Sequence, residues 1–100
     1  MNDKLIHWFE LLIAHLKMII NTKSGKEKII ISHKIRSLVD SLNIIRNQKY
    51  EITKSDQLAG LKGIGAGTLR RIDEILSTGK LSEITTSQAN NKIIPDQISN

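Results

Sequence analysis

The stretch Leu61–Leu81, LKGIGAGTLRRIDEILSTGKL, decides the fold. Gly63, Gly65 and Gly67 crowd together just before a run in which Leu69, Ile72, Ile75 and Leu76 recur at helical spacing. That run reads as an amphipathic helix over 68–78, with Arg70, Arg71, Asp73 and Glu74 on its other sides. Gly79 stands where a C-cap glycine belongs. Glycine gives up more conformational freedom on folding than any other residue, so the cluster implies a backbone that turns sharply or one that something must approach closely.

Upstream, Leu5, Ile6, Phe9, Leu12, Ile13, Leu16, Ile19 and Ile20 keep the same helical period, which predicts a first helix over 4–21 with Asp3 as its N-cap. The segment NTKSGKE is a loop with Gly25 as breaker. The Ile29–Ile31 triplet alone would suit a strand, but Ile31, Ile35, Leu38, Val39, Leu42 and Ile45 sustain a helical period, so a second helix is expected over 27–46. QKYEITK connects it to a short helix, DQLAGL, capped by Ser55. After Ile84 the chain turns polar and aperiodic and holds its only proline; residues 85–100 read as a linker or frayed tail. The predicted architecture is all-α: a single helical domain at 1–84, a bundle of four or five short helices.

Two phosphate-binding glycine motifs do not fit. Neither SGK at 24–26 nor TGK at 78–80 has the earlier glycine a Walker loop requires. GIGAG has the wrong spacing for a dinucleotide fingerprint, and a helix precedes it where a strand should. What remains is helix, glycine hairpin, helix. The second helix opens with unpaired backbone N–H groups and the positive end of its dipole, which together can hold a phosphate.

Charge points the same way. The net charge of +5 is carried by residues 23–49, where Lys23, Lys26, Lys28, Lys34, Arg36, Arg46 and Lys49 face only Glu27 and Asp40. A polyanion-facing surface and an ordinary solvated helix face both account for such a segment. The chain has no cysteine, one Trp, one Phe and one Tyr, which excludes disulfides, thiolate metal sites and an aromatic stacking platform for single strands. Trp8 is expected in the core, and His7 and His15 at the surface or its boundary. No nucleophile triad, paired carboxylates or metal-ligand spacing stands out, and no window is apolar over the ~18 residues that a membrane span needs.

LAGLKGIGAGTLRRIDEIL resembles a helix-hairpin-helix motif. With IDEIL and TGKL following, and His33–Lys34 falling where that family has the same pair at the start of its second helix, residues 3–84 resemble the N-terminal domain of family-X DNA polymerases. The resemblance implies a monomeric domain that grips the 5′-phosphate side of a gapped or nicked duplex inside the cell, without reading bases, in gap-filling DNA repair. It assigns the DNA contacts to Lys62, Gly63, Gly65, Ala66, Gly67, Thr68, Arg70, Arg71, His33 and Lys34. It also implies a K⁺ or Na⁺ ion held by the backbone carbonyls of Ala59, Leu61 and Ile64, a polymerase domain following the tail, and hence a chain that is a fragment of a larger nucleotidyltransferase.

The departures are chemical. The family's Schiff-base lysine is Arg71 here, and a guanidinium stays protonated and cannot be that nucleophile. Ala59 and Gly67 replace two bases of the phosphate pocket, Leu38 replaces an aromatic, Glu83 replaces a lysine, and Leu69 stands where a small residue is usual. The expectation is therefore binding without catalysis. Two alternatives stay open: a lyase using Lys62, Lys34 or Lys80, and a helical protein-interaction module. Arg70 and Arg71 have an alternative of their own, pairing with Asp73 and Glu74 along the helix.

Overall fold

A computed structural model describes residues 2–84; the expected tail at 85–100 lies outside the described residues. Three α-helices, α1 (Asp3–Ile20), α2 (Gly25–Arg46) and α3 (Ala66–Thr78), and one 3₁₀ helix (Ser55–Leu58) make up the fold, and no strand occurs among the described residues. The all-α expectation holds.

The long helices α1 and α2 pack most extensively on each other, joined by a short turn at 21–24. Leu5, Phe9, Leu12, Ile13 and Leu16 line the buried face of α1; Leu38, Leu42 and Ile45 line that of α2, with Ile31, Ile35 and Val39 half-buried against it. Ile72 and Ile75 of α3 complete the same core with Ile52, Leu58, Leu81 and Ile84. Leu76, expected on this face, sits on its rim at 36% exposure, and Trp8 is half-buried with its edge against the His7 ring. An ion pair from Arg46 to Glu10 ties α2 to α1 at the surface.

The starts of all four elements lie one or two residues earlier than expected. Asn2, not Asp3, holds the cap position of α1, in the left-handed conformation (φ 63°) that asparagine tolerates. Its side chain accepts the Ile52 N–H at 2.7 Å and donates to the Tyr50 carbonyl at 3.2 Å, so a partner far along the chain fixes the helix start. Gly25, read as a breaker, is instead the first residue of α2, with Ser24 extended before it. Ser55 does not cap the short helix; it is the first residue of the 3₁₀ helix and is buried, while Gln57 Oε1 accepts the Lys54 N–H at 3.0 Å and closes that end. The helix itself ends at Leu58, short of the DQLAGL expected, and α3 begins at Ala66, two residues before the expected 68.

The IDEILSTGKL string has a structural logic. Gly79 caps α3 in the left-handed region (φ 82°), with its N–H on the Ile75 carbonyl at 2.8 Å. The Thr78 hydroxyl donates to the Glu74 carbonyl at 2.7 Å, and the Ser82 N–H returns to Glu74 Oε2 at 2.9 Å. This folds the chain back so that Leu81 and Ile84 reach the core around a helical turn at 82–84.

Candidate nucleic-acid interface

The hairpin is two consecutive tight turns. In Leu58–Leu61 the Leu61 N–H donates to the Leu58 carbonyl at 3.2 Å; in Leu61–Ile64 the Ile64 N–H donates to the Leu61 carbonyl at 3.1 Å. The third residue of each turn is a glycine with positive φ, Gly60 at 87° and Gly63 at 94°. Type II turns demand that conformation there. The glycines forced by the turn are therefore Gly60 and Gly63, not the whole set 63, 65 and 67. Gly65 takes an ordinary extended conformation (φ −103°) and caps α3. A Cβ on it would meet nothing within 4 Å. Gly67 lies inside α3, where a Cβ would stand 3.0 Å from Arg71 Nη1.

A buried polar contact fixes the hairpin on α2. The Ser41 hydroxyl donates to the Gly63 carbonyl at 3.1 Å and lies 2.8 Å from the Thr68 hydroxyl. A serine hydroxyl has one proton, so Thr68 is the donor of the second bond. Both side chains are buried, which takes the Thr68 hydroxyl out of any contact with a ligand and leaves only its backbone N–H for that purpose. The first intrahelical bond onto the hairpin runs from the Leu69 N–H to the Gly65 carbonyl at 3.1 Å. The N–H groups of Ala66, Gly67 and Thr68 precede it at the positive end of α3.

Around this point the expected contact residues do not all share one site. His33, Gly63 and Gly65 line one open groove of about 410 Å³ between α2 and the hairpin, together with Arg36, Ser37, Asp40 and Ile64. Arg36 and Ser37 were not among the expected contacts. Their signal was available: His33, Arg36, Ser37 and Asp40 follow the i, i+3, i+4, i+7 spacing of one helix face. Lys34 is not in that groove. It turns to Glu83, with Nζ 3.6 Å from Oε2, where Arg71 also donates from Nε to Oε1 at 2.9 Å and from Nη2 to Oε2 at 3.4 Å. Arg71 thus pairs with Glu83 rather than with the helix carboxylates considered for it. Burial alone would push the Glu83 carboxyl up, but the Arg71 hydrogen bond and charge, with Lys34, outweigh it and hold the group below the usual carboxylate range.

Lys62, Ala66 and Arg70 are exposed beside the hairpin, as is Ala59. Of the three carbonyl carriers considered for a cation, Leu61 already accepts the Ile64 N–H, which leaves its second lone pair. Among the described residues no group of His, Asp or Glu is arranged to hold a metal ion, and no helix is long and apolar enough to cross a membrane.

No curated protein and no solved structure matches the chain. A family model described as a helix-hairpin-helix domain matches residues 1–81, which takes in α1 and α2 as well as the hairpin and α3. With hairpin, capped helix and packed helical pair in one unit, the chain belongs to the helix-hairpin-helix domain family.

Proposed function

We propose that this domain binds DNA through its backbone phosphates, on the downstream 5′-phosphate side of a gapped or nicked duplex, as the N-terminal domains of family-X DNA polymerases do. One observation carries the reading. The free N–H groups at the start of α3 open beside Gly65, a residue whose backbone conformation does not require glycine and whose missing Cβ leaves open space. A phosphate can reach those donors unobstructed, held further by Lys62 and Arg70 and by the groove residues His33 and Arg36. Such contacts position the protein and carry no sequence information.

The role is binding, in a chain that works as part of a repair polymerase. Arg71 stands at the position of the family's Schiff-base lysine, and its guanidinium cannot take that part. A K⁺ or Na⁺ ion on the carbonyls of Ala59, Leu61 and Ile64 belongs to the same proposal: neutral carbonyl oxygens suit a hard monovalent cation, whose charge would favour a phosphate at the hairpin.

The test is an anisotropy titration on one-nucleotide-gapped duplex, with and without the downstream 5′-phosphate, across a salt series. The expected result is preference for the phosphorylated gap and a log–log salt slope of about −2 to −4. Substituting tetramethylammonium for K⁺ at equal ionic strength should weaken binding if the carbonyls hold an ion. Absence of binding at low salt, with self-association insensitive to salt, would instead make the hairpin part of a protein-interaction module.

A further inference from the structure

Helical side chains lean toward the N-terminus of their helix. Arg71 accordingly lies back over the first turn of α3, its Nη1 in the space that Gly67 leaves. There it forks onto Glu83 through two nitrogens, while Lys34 approaches the same carboxylate from α2. Two cations from two helices thus converge on one internal anion next to the unpaired N–H groups of α3. A fork of guanidinium donors plus a lysine is an arrangement that receives a phosphate. Here a carboxylate of the same chain fills it.

We infer that Glu83 is an internal occupant of the anion site: its carboxylate holds Arg71 and Lys34 in place, and a phosphate engages that pair only by displacing it. The inference rests on reading this face as a phosphate grip. It adds that two of the basic side chains are masked in the free protein, so that affinity is set by an exchange of anions.

The ion pair is not what holds Glu83 in position. Its neighbours Leu81 and Ile84 are buried in the core, and the Ser82 N–H is anchored on Glu74. The 82–84 turn therefore stays where it is when the carboxylate is removed or lets go. The Glu83 side chain is itself 35% exposed, so an incoming anion can reach it.

The test compares the wild-type domain with Glu83→Gln on the phosphorylated gapped duplex across a salt series, and follows the NMR resonance of the Arg71 Nε–H during titration with inorganic pyrophosphate. The expected outcome is that Glu83→Gln binds the duplex about fivefold more tightly, the scale of one competing partly exposed ion pair, with a steeper salt slope. The gain should vanish when Arg71→Ala is added. Pyrophosphate should shift the Arg71 resonance at lower concentration in Glu83→Gln than in the wild type. Unchanged or weaker binding by a folded Glu83→Gln overturns the inference while leaving the DNA reading intact. If neither protein binds DNA, the DNA reading falls alone and the pyrophosphate arm decides: a stronger response in the variant upholds displacement, and an equal response or none overturns it. Should Glu83→Gln fail to fold, the wild type decides, since pyrophosphate must then shift the Arg71 Nε–H and the Glu83 carboxyl resonances together; an Arg71 signal unmoved at saturation sinks the idea.

Discussion

At Gly63 and Gly65 two neighbouring glycines serve opposite purposes, and single substitutions separate them. Gly63 carries φ 94°, and a Cβ there would stand 2.8 Å from Ile44 Cδ1. The end of an isoleucine can yield, but the backbone conformation cannot, so Gly63→Ala should cost about 1–2 kcal/mol in urea unfolding. Gly65 carries no such constraint. Gly65→Asp would provide a better N-cap and a negative charge at the positive end of α3, and should raise stability by about 0.5–1 kcal/mol. The same carboxylate would occupy the donors proposed for a phosphate. Thermal unfolding and the gapped-duplex titration together should therefore show a more stable protein that has lost DNA affinity at least about tenfold, the effect of a displaced charge-assisted contact. A stabilised variant that still binds would move the grip away from the start of α3. The sequence displays these glycines as one cluster because φ is not written in it. Gly60, the second glycine with a turn-imposed conformation, is hidden for the same reason, since DQLAGL looks helical in sequence.

Between elements, the decisive contact is the least visible in the sequence. Ser41 lies in the middle of α2 among residues of mixed polarity, and nothing local marks it as buried; its partners, Gly63 and Thr68, lie 22 and 27 residues away. It bonds both the hairpin backbone and the first turn of α3. Ser41→Ala would leave the buried Thr68 hydroxyl and the Gly63 carbonyl without their partner, for a cost of about 1–3 kcal/mol. Thr68→Val leaves the Ser41–Gly63 bond intact and should cost less, so the order of the two chemical-denaturation midpoints tests the donor assignment. The helices were legible because their apolar residues repeat at the helical period over several turns, a signal that needs no tertiary partner. The start of α1 was not, since Asn2 is held at the cap position by bonds to Tyr50 and Ile52. The candidate site was half legible for a similar reason. His33 and the hairpin glycines stand out as motifs, whereas Arg36 shares their groove only because α2 passes that side of the hairpin.

Across the whole molecule, two carboxylates near the end of the described chain close the fold onto itself, Glu74 through Ser82 and Glu83 through Arg71 and Lys34. Hydrogen bonds from the Ser82 side chain and backbone hold Glu74 below its ordinary value of 4.5. For Glu83 the burial that would raise the group is outweighed by Arg71 and Lys34, so it too lies below 4.5. A carboxyl with a depressed value in the folded state binds its proton more readily when unfolded. The stability it contributes is therefore complete above about pH 4.5 and is lost as the pH falls through the depressed folded values. Thermal unfolding followed from pH 7 down to about pH 3 should show a level melting temperature followed by a decline in acid. In Glu83→Gln the decline should be shallower, because one of the two protons has nowhere to bind, and Glu74→Gln should flatten it as well, through bonds that run to Ser82 and not to the Arg71 fork. Equal acid sensitivity in the wild type and Glu83→Gln would mean that the Glu83–Arg71 contact contributes nothing to the folded state in solution. The masking of Arg71 by Glu83 would lose its basis with it, whereas the turn glycines, the Ser41 contact and the open start of α3 would stand as before.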